Sequence, residues 1–358
     1  MEILVYLTGF EPEMCSYLFK KSAGLVIASC LFLFACNHNT NHHSATFSGN
    51  TMGTTYTIQI NSRQTIPDLP GIKHSIEQIL ASVNTAMSTY IPDSELSRVN
   101  HSDSNKWISI SDPLFKVISA AQEISLLSNG AFDITIGPLV NLWGFGPVDQ
   151  IDLPPADLTI KSLLENVGYK KLHLDSRRKL IMKDLPGIFI DLSAIAKGYA
   201  VDEVARQLEN KYSIQNYMVE IGGEIHAHGT NAKDNVWRIG IEKPVTDQRT
   251  VERIIYLDNM AMATSGNYRN YININGIRYS HAIDPRTGKP VQHQLASVTV
   301  LHPQCMIADA WATALLVSGP ETGLKLARQY GLDALFIVMG QDTFREQVTG
   351  KFMQYFPR

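Results

Sequence analysis

Apolar residues alternate with polar ones at Tyr56, Ile58 and Ile60, and switch to helical spacing at Ile72, Ile76, Ile79, Leu80, Val83 and Met87. The first pattern predicts a strand over 54–60, separated by Gly53 from another over 47–52. The second predicts a helix capped by Asp68 and closed before Ile91-Pro92, since the residue before a proline is driven out of the helical region. Asp112-Pro113 reads as a cap followed by a first-turn proline, 114–128 as a helix, and Asn129-Gly130 as its left-handed stop. Residues 131–147, dense in glycine, proline and aromatics, read as a packed irregular loop. A helix over 157–167 ends at Gly168, and Val201, Val204, Ala205 and Leu208 give the buried face of another. Further helices are expected at 307–317 and 321–330. Strands are expected at 171–174, 180–182, 188–192, 217–221, 237–241, 253–257, 260–264, 278–283, 297–301 and 334–339. Strands outnumber helices and several follow one another directly, which favours an α+β class over a regularly alternating parallel sheet.

Composition adds a bound rather than an answer. The 358 residues are 44% hydrophobic and 18% charged, with a formal net charge of −3, which is ordinary globular material without a basic field for nucleic acid. The N-terminus is more telling. Lys20-Lys21 precedes an apolar run over 22–35, then Cys36, as in a signal peptide too short to span a bilayer comfortably. Leu33-Phe34-Ala35-Cys36 resembles a bacterial lipoprotein processing box, and Met14 fits a true start better than Met1. The expected organisation is therefore a signal peptide over 1–35, a lipidated Cys36 with a polar tether to residue 45, and one folded domain over 46–358. That places the protein at the periplasmic face of a bacterial membrane, the inner one being favoured. Cys15 and Cys30 fall in the leader, so Cys305 is the one thiol left to the domain and no disulfide framework is expected.

Several familiar sites are excluded: no phosphate-loop, dinucleotide-binding, nucleophile-elbow or paired-cysteine pattern occurs. His226 and His228 would share one face of a strand, but no third zinc ligand stands at a telling spacing. The stretch from Tyr279 to Pro290 presents His281 beside a turn. Asp309 and Thr313, four apart at the start of a helix, put a carboxylate and a hydroxyl on one face. Those groups suit a hard metal ion near a general base. Met52, Tyr90 and Phe132 lie in small-residue loops where they could flank a flat ring, and Lys197 could meet a phosphate. Residue chemistry alone reaches an exported Mg²⁺-dependent enzyme acting on a nucleotide-like ligand.

Six segments in order carry a closer resemblance: Thr-Met-Gly-Thr from Thr51, the run from Gly130 to Pro147, the run from Asp191 to Ala200, Thr-Ser-Gly-Asn-Tyr-Arg-Asn-Tyr from Thr264, Ser-His-Ala-Ile-Asp-Pro-Arg-Thr-Gly-Lys-Pro from Ser280, and Ala-Asp-Ala-Trp-Ala-Thr from Ala308. Together they closely resemble the ApbE family of FAD:protein FMN transferases, over essentially all of 46–358. The resemblance implies a single T-fold-like α+β domain with mixed or antiparallel sheets. It implies FAD as donor, Mg²⁺ as cofactor, and transfer of FMN to a threonine hydroxyl of an acceptor flavoprotein, part of a respiratory or redox complex, with release of AMP. It places FAD against Met52, Tyr90, Ala131, Phe132, Asp133, Asp191, Lys197 and Ile283. It places Mg²⁺ on the Ala194 carbonyl, Asp309 and Thr313. His281, near the ordinary imidazole pKa of about 6.5, would take the proton of the attacking hydroxyl.

Two departures from the family pattern bear on the metal. Ala312 stands where some members carry a second aspartate, and Lys197 where some carry an acid. Weaker Mg²⁺ binding is expected, partly offset by direct contact of Lys197 with phosphate. Two other activities use the same residues: hydrolysis of FAD to FMN and AMP, with water replacing the threonine, and flavin binding without catalysis.

Overall fold

The computed structural model describes residues 42–147, 151–245, 250–268, 270–341 and 343–357. The expected signal peptide and Cys36 lie outside the described residues, as does the tether as far as residue 41. The organising element is an eight-stranded sheet in which every neighbouring pair is antiparallel and the spatial order follows the chain. Its strands are His43–Thr51, Thr54–Ser62, Tyr217–Ile221, Glu224–His228, Met260–Gly266, Leu295–His302, Asp333–Met339 and Phe344–Thr349. The helices are α1 (Leu69–Met87), α2 (Glu95–Asn100), α3 (Asp112–Leu127), α4 (Gly137–Leu142), α5 (Asp157–Leu164), α6 (Ala196–Tyr212) and α7 (Cys305–Gln329). The class is α+β, as the strand-rich pattern predicted.

Alternation along the strands explains how the sheet is covered. Tyr217, Val219 and Ile221 face the large core with α1, α3, α6 and α7, while Met218 between them faces a second core. Ala334, Phe336 and Val338 divide from Leu335 and Ile337 in the same way. The second core is closed by the two-stranded ribbon of Trp237–Glu242 and Val251–Leu257. With both faces buried, the central strands read as nearly continuous apolar runs. A third, smaller cluster joins Leu139, Trp143, Ile160, Val167 and Ile283 beneath α4 and α5.

Several expectations change. The first strand begins at His43 rather than 47, and order reaches back before the expected domain start at 46: His43 pairs with Ser62 and the His42 ring bonds Asn61 and Asp234. Asp68 does cap α1, its Oδ1 accepting from the Gly71 amide at 3.0 Å. α3 is capped by Ser111 instead of Asp112: the Ser111 hydroxyl accepts from Leu114, and Asp112 is already helical. The expected loop over 131–147 contains α4. Residues 188–192 alternate buried and partly buried positions but form no strand beyond a single parallel bridge from Phe189 to Ile136. Their backbone is satisfied by the Asn100 side chain, which accepts from Ile190 at 2.7 Å and donates back at 2.9 Å, and by single bonds to Gly137 and Ile134. The strand expected over 278–283 breaks at His281, leaving Ile277–Ser280 and a separate two-residue strand, Ile283–Asp284, paired with Lys289–Pro290. α7 is kinked at Gly319 (φ 77°) before Pro320, which matches two consecutive helices.

Candidate active site

Two hairpin turns lie side by side at one end of the sheet. Met52 (φ 48°) and Gly53 (φ 70°) make the first, and Gly222 (φ 59°) and Gly223 (φ 102°) make the second. Left-handed pairs of this kind are what two-residue hairpins need to match strand twist. A methionine in that conformation is uncommon, and such strain gathers at functional sites. A Cβ on Gly222 would sit 2.7 Å from Thr54 Cγ2 and 3.3 Å from Lys197 Cδ, so the turn is packed against the side chain that enters the site.

That side chain leaves the first turn of α6. Gly198 beside it lets α6 cross α7 at backbone contact, since a Cβ there would meet the Cys305 carbonyl at 2.4 Å. The crossing is tied twice. The Gly198 amide donates to Asp309 Oδ2 at 3.1 Å, and Asp202 caps α7 by accepting from the Cys305 and Met306 amides at 2.7 and 3.0 Å. Lys197 Nζ lies 3.8 Å from Asp309 Oδ2 and 3.3 Å from Glu224 Oε2. Both carboxylates are almost fully buried, at 3% and 2% exposure. Burial pushes Asp309 and Glu224 above the usual carboxylate range, with Lys197 opposing. Burial would lower the Lys197 ammonium, but Asp309 and Glu224 outweigh it and raise it. Two carboxyl groups share one ammonium in a dry site, so burial disfavours ionising both at once.

Thr313, one turn beyond Asp309 on the same helix face, shares a 2.9 Å hydrogen bond with the Ser265 hydroxyl. Ala194 is in the turn that leads into α6. Its carbonyl, the Asp309 carboxylate and the Thr313 hydroxyl are hard oxygen donors, and that donor set fits a Mg²⁺ ion. Ala312 is fully buried and packed in the large core. Glu224 was not among the expected site residues, whereas Ser265 lies in one of the six segments that carry the resemblance. Glu224 carried a signal, an acid directly after a Gly-Gly turn at the start of a strand.

The stretch from Tyr279 to Pro290 reaches the same end because Ile283–Asp284 packs on α7. His281 sits at the bend, half buried, with the edge of its ring against Phe145 at a centroid distance of 6.3 Å. Its Nδ1 is 2.9 Å from the Asn270 carbonyl. A carbonyl only accepts, so Nδ1 carries the proton and Nε2 keeps the free lone pair. Desolvation lowers the pKa below 6.5, the Asn270 bond partly opposes this, and the charge on Lys197 adds to it. The expectation of an ordinary imidazole value is corrected accordingly.

The remaining predicted flavin residues are not equivalent. Tyr90 is 65% exposed, and its hydroxyl is raised by burial of its surroundings and then by the charge of Asp191. Asp191 accepts from the Ser193 amide at 2.7 Å. Met52 is partly exposed at its turn, whereas Ala131 and Phe132 are buried in the large core and Ile283 in the small one. Asp133 is bound internally: Oδ1 accepts from the Thr135 amide and hydroxyl, and Oδ2 from the Tyr169 amide. Its carboxylate shapes the loop rather than facing outward. His228 Nδ1 bonds the Gln215 carbonyl, and no group of three metal-ligating His, Cys, Asp or Glu side chains occurs among the described residues.

Residues 52–336 match the sequence pattern of the ApbE family. The chain is 43% identical over 331 residues to the FAD:protein FMN transferase of Vibrio cholerae, covering 92% of this chain and 98% of that one. It is 43% identical over 339 residues to the enzyme of the same name from Haemophilus influenzae, covering 93% and 97%. Its fold is similar to the solved flavin transferase ApbE from Vibrio cholerae, with a TM-score of 0.82, 42% identity and 88% and 100% coverage. It is also similar to the apo form of the flavinyl transferase ApbE from Pseudomonas stutzeri, with a TM-score of 0.79, 36% identity and 88% and 97% coverage. Likeness of sequence and fold over this share of both chains establishes that the protein belongs to the ApbE family.

Proposed function

We infer that this chain is an FAD:protein FMN transferase, moving FMN from FAD to a threonine hydroxyl of an acceptor flavoprotein and releasing AMP. The observation that carries the reading is one sheet end at which Asp309 and Thr313 share a face of α7 and Lys197 lies beside Asp309, with the Nε2-basic His281 near enough to feel the Lys197 charge. His281 Nε2 takes the proton of the acceptor hydroxyl. The hydroxyl oxygen bonds to the FMN-side phosphorus, and the bond from that phosphorus to the bridging oxygen breaks, so AMP leaves with the electron pair. Lys197 faces the negative charge of the pyrophosphate. Met52 and Tyr90 border the isoalloxazine, and the buried Ala131, Phe132 and Ile283 fix the loops around it. Asp309, Thr313 and the Ala194 carbonyl would hold Mg²⁺, whose chemistry there is polarisation of the pyrophosphate and neutralisation of departing phosphate charge.

The leader motif supports lipid attachment at Cys36, which would anchor the domain at the periplasmic face, within reach of a respiratory or redox acceptor. Replacing Cys36→Ser should release the protein into the soluble fraction.

The decisive assay incubates the protein with FAD, Mg²⁺ and a candidate acceptor. Covalent flavin on the acceptor with equimolar AMP is expected. AMP without labelled acceptor would show a hydrolase, and intact bound FAD a flavin-binding protein without turnover. Asp309→Ala should abolish the Mg²⁺-dependent turnover, and unchanged activity would remove the metal assignment.

A further inference from the structure

The mechanism above gives Glu224 no part, yet it is the most confined acid beside the site. It follows a turn whose two glycines both need positive φ, so its backbone is fixed where the strand begins. Its side chain is 2% exposed. Oε2 is fully enclosed and has no hydrogen bond of acceptable geometry, although Lys197 Nζ stands 3.3 Å away. The lysine stem is walled by the same turn, with Cδ 3.3 Å from where a Gly222 side chain would begin. Lys197 thus lies between two carboxylates and nearer to Glu224 than to Asp309, at 3.3 against 3.8 Å. An ammonium seated fully on Asp309 would occupy the carboxylate that a divalent cation needs.

We propose that Glu224 is a positioning residue that holds the Lys197 ammonium off Asp309, keeping that carboxylate open to Mg²⁺ while the ammonium stays within reach of a phosphate. This inference rests on the transferase reading, because it supposes that Asp309 takes a cation. It also answers the departure at residue 197: a basic side chain beside a metal carboxylate is tolerated because a second buried carboxylate restrains it. The position depends on reach as well as charge. A carboxylate one methylene shorter would leave Lys197 free to close on Asp309.

The test is Mn²⁺ binding to the full-length protein without FAD, read by electron paramagnetic resonance with Mg²⁺ as competitor. Glu224→Gln should weaken binding about tenfold. Glu224→Asp, which keeps the charge and shortens the arm, should weaken it at least threefold. Adding Lys197→Met to either variant should restore wild-type affinity or better, since the competing ammonium is gone. Wild-type affinity in Glu224→Asp would reduce the role to bulk charge and overturn the proposal, as would failure of Lys197→Met to rescue. If Glu224→Gln does not fold, the Glu224→Asp pair decides alone. The wild-type and Asp309→Ala proteins run in parallel separate the two ideas. Loss of binding in Asp309→Ala sustains the metal reading whatever Glu224 does, and no binding in the wild type would reject that reading first.

Discussion

At the scale of single residues, His281 differs most from its sequence-based description. Its bend, not a strand, sets its direction, and the Asn270 carbonyl fixes the tautomer that leaves Nε2 basic. Desolvation and the Lys197 charge both disfavour the imidazolium and lower its pKa from 6.5. A base must be neutral to act, so a lowered pKa extends activity toward acid. The acid limb of the kcat/KM profile for flavin transfer should have its midpoint below 6.5. A limb at or above that value would exclude His281 as the base. Folding linkage has the same sign: the unfolded chain binds the proton more readily, so this contribution is present above the ordinary imidazole pKa and is lost as pH falls toward the folded value. His281→Asn should slow transfer on the order of 10²–10⁴-fold. FAD affinity, measured by fluorescence quenching, should change little. If binding collapses with the rate, the ring holds ligand rather than a proton.

At the scale of elements, the site is a crossing of two helices, and the crossing decides where Asp309 points. Gly198 allows the contact, and Asp202 on α6 supplies the cap that α7 lacks from its own N-cap residue, Gln304 making no side-chain cap bond. Asp202→Ala should lower stability by about 1–2 kcal/mol, the usual value of a lost cap. Because α7 carries Asp309 and Thr313, it should also raise the Mg²⁺ concentration for half-maximal turnover. Gly198→Ala should do more, since its Cβ would run into backbone that cannot rotate away, at about 1–3 kcal/mol for overpacking. A thermal melt with a Mg²⁺ titration distinguishes an effect on α7 from simple unfolding. These contacts also show what the sequence made legible. Asp68, the apolar spacing of α1 and the division of 307–330 into two helices are local signals, and each reads correctly from neighbours in the chain. The cap by Asp202, the Asn100 amide that replaces a ladder at 188–192, and the Glu224–Lys197 contact depend on partners chosen by the fold, whereas the Ser111 cap is local and was masked by the competing Asp112-Pro113 signal. Asp309 and Thr313 were visible because helical spacing alone puts them on one face. Glu224 was not, because its meaning lies in a lysine on another element.

At the scale of the molecule, the sheet separates two tasks. Its helix-bearing face and one end carry the proposed chemistry, while the opposite face is closed by a ribbon whose apolar residues form a core of their own. Ile239 is fully buried in that ribbon core, among Ile225, Met262 and Leu335. Trp143 lies in the small cluster instead, where its indole N–H donates to the Gly288 carbonyl at 2.9 Å and its ring stacks obliquely on Tyr279. It therefore braces the turn that follows Ile283 and the strand that leads to His281. Ile239→Ala should cost about 2–5 kcal/mol as a cavity in a dry core. The same variant should leave kcat and the KM for FAD per folded molecule unchanged. Trp143→Phe keeps an aromatic ring but leaves the Gly288 carbonyl without its donor, costing about 1–3 kcal/mol. That loss falls on the loop that aims the base, so kcat should drop severalfold although the variant is the more stable of the two. Measuring melting temperature and transfer rate on both proteins puts the division to a direct test. If kcat follows stability alone, with Ile239→Ala the slower enzyme at a temperature where both are folded, the two faces are mechanically coupled and the separation of tasks is wrong.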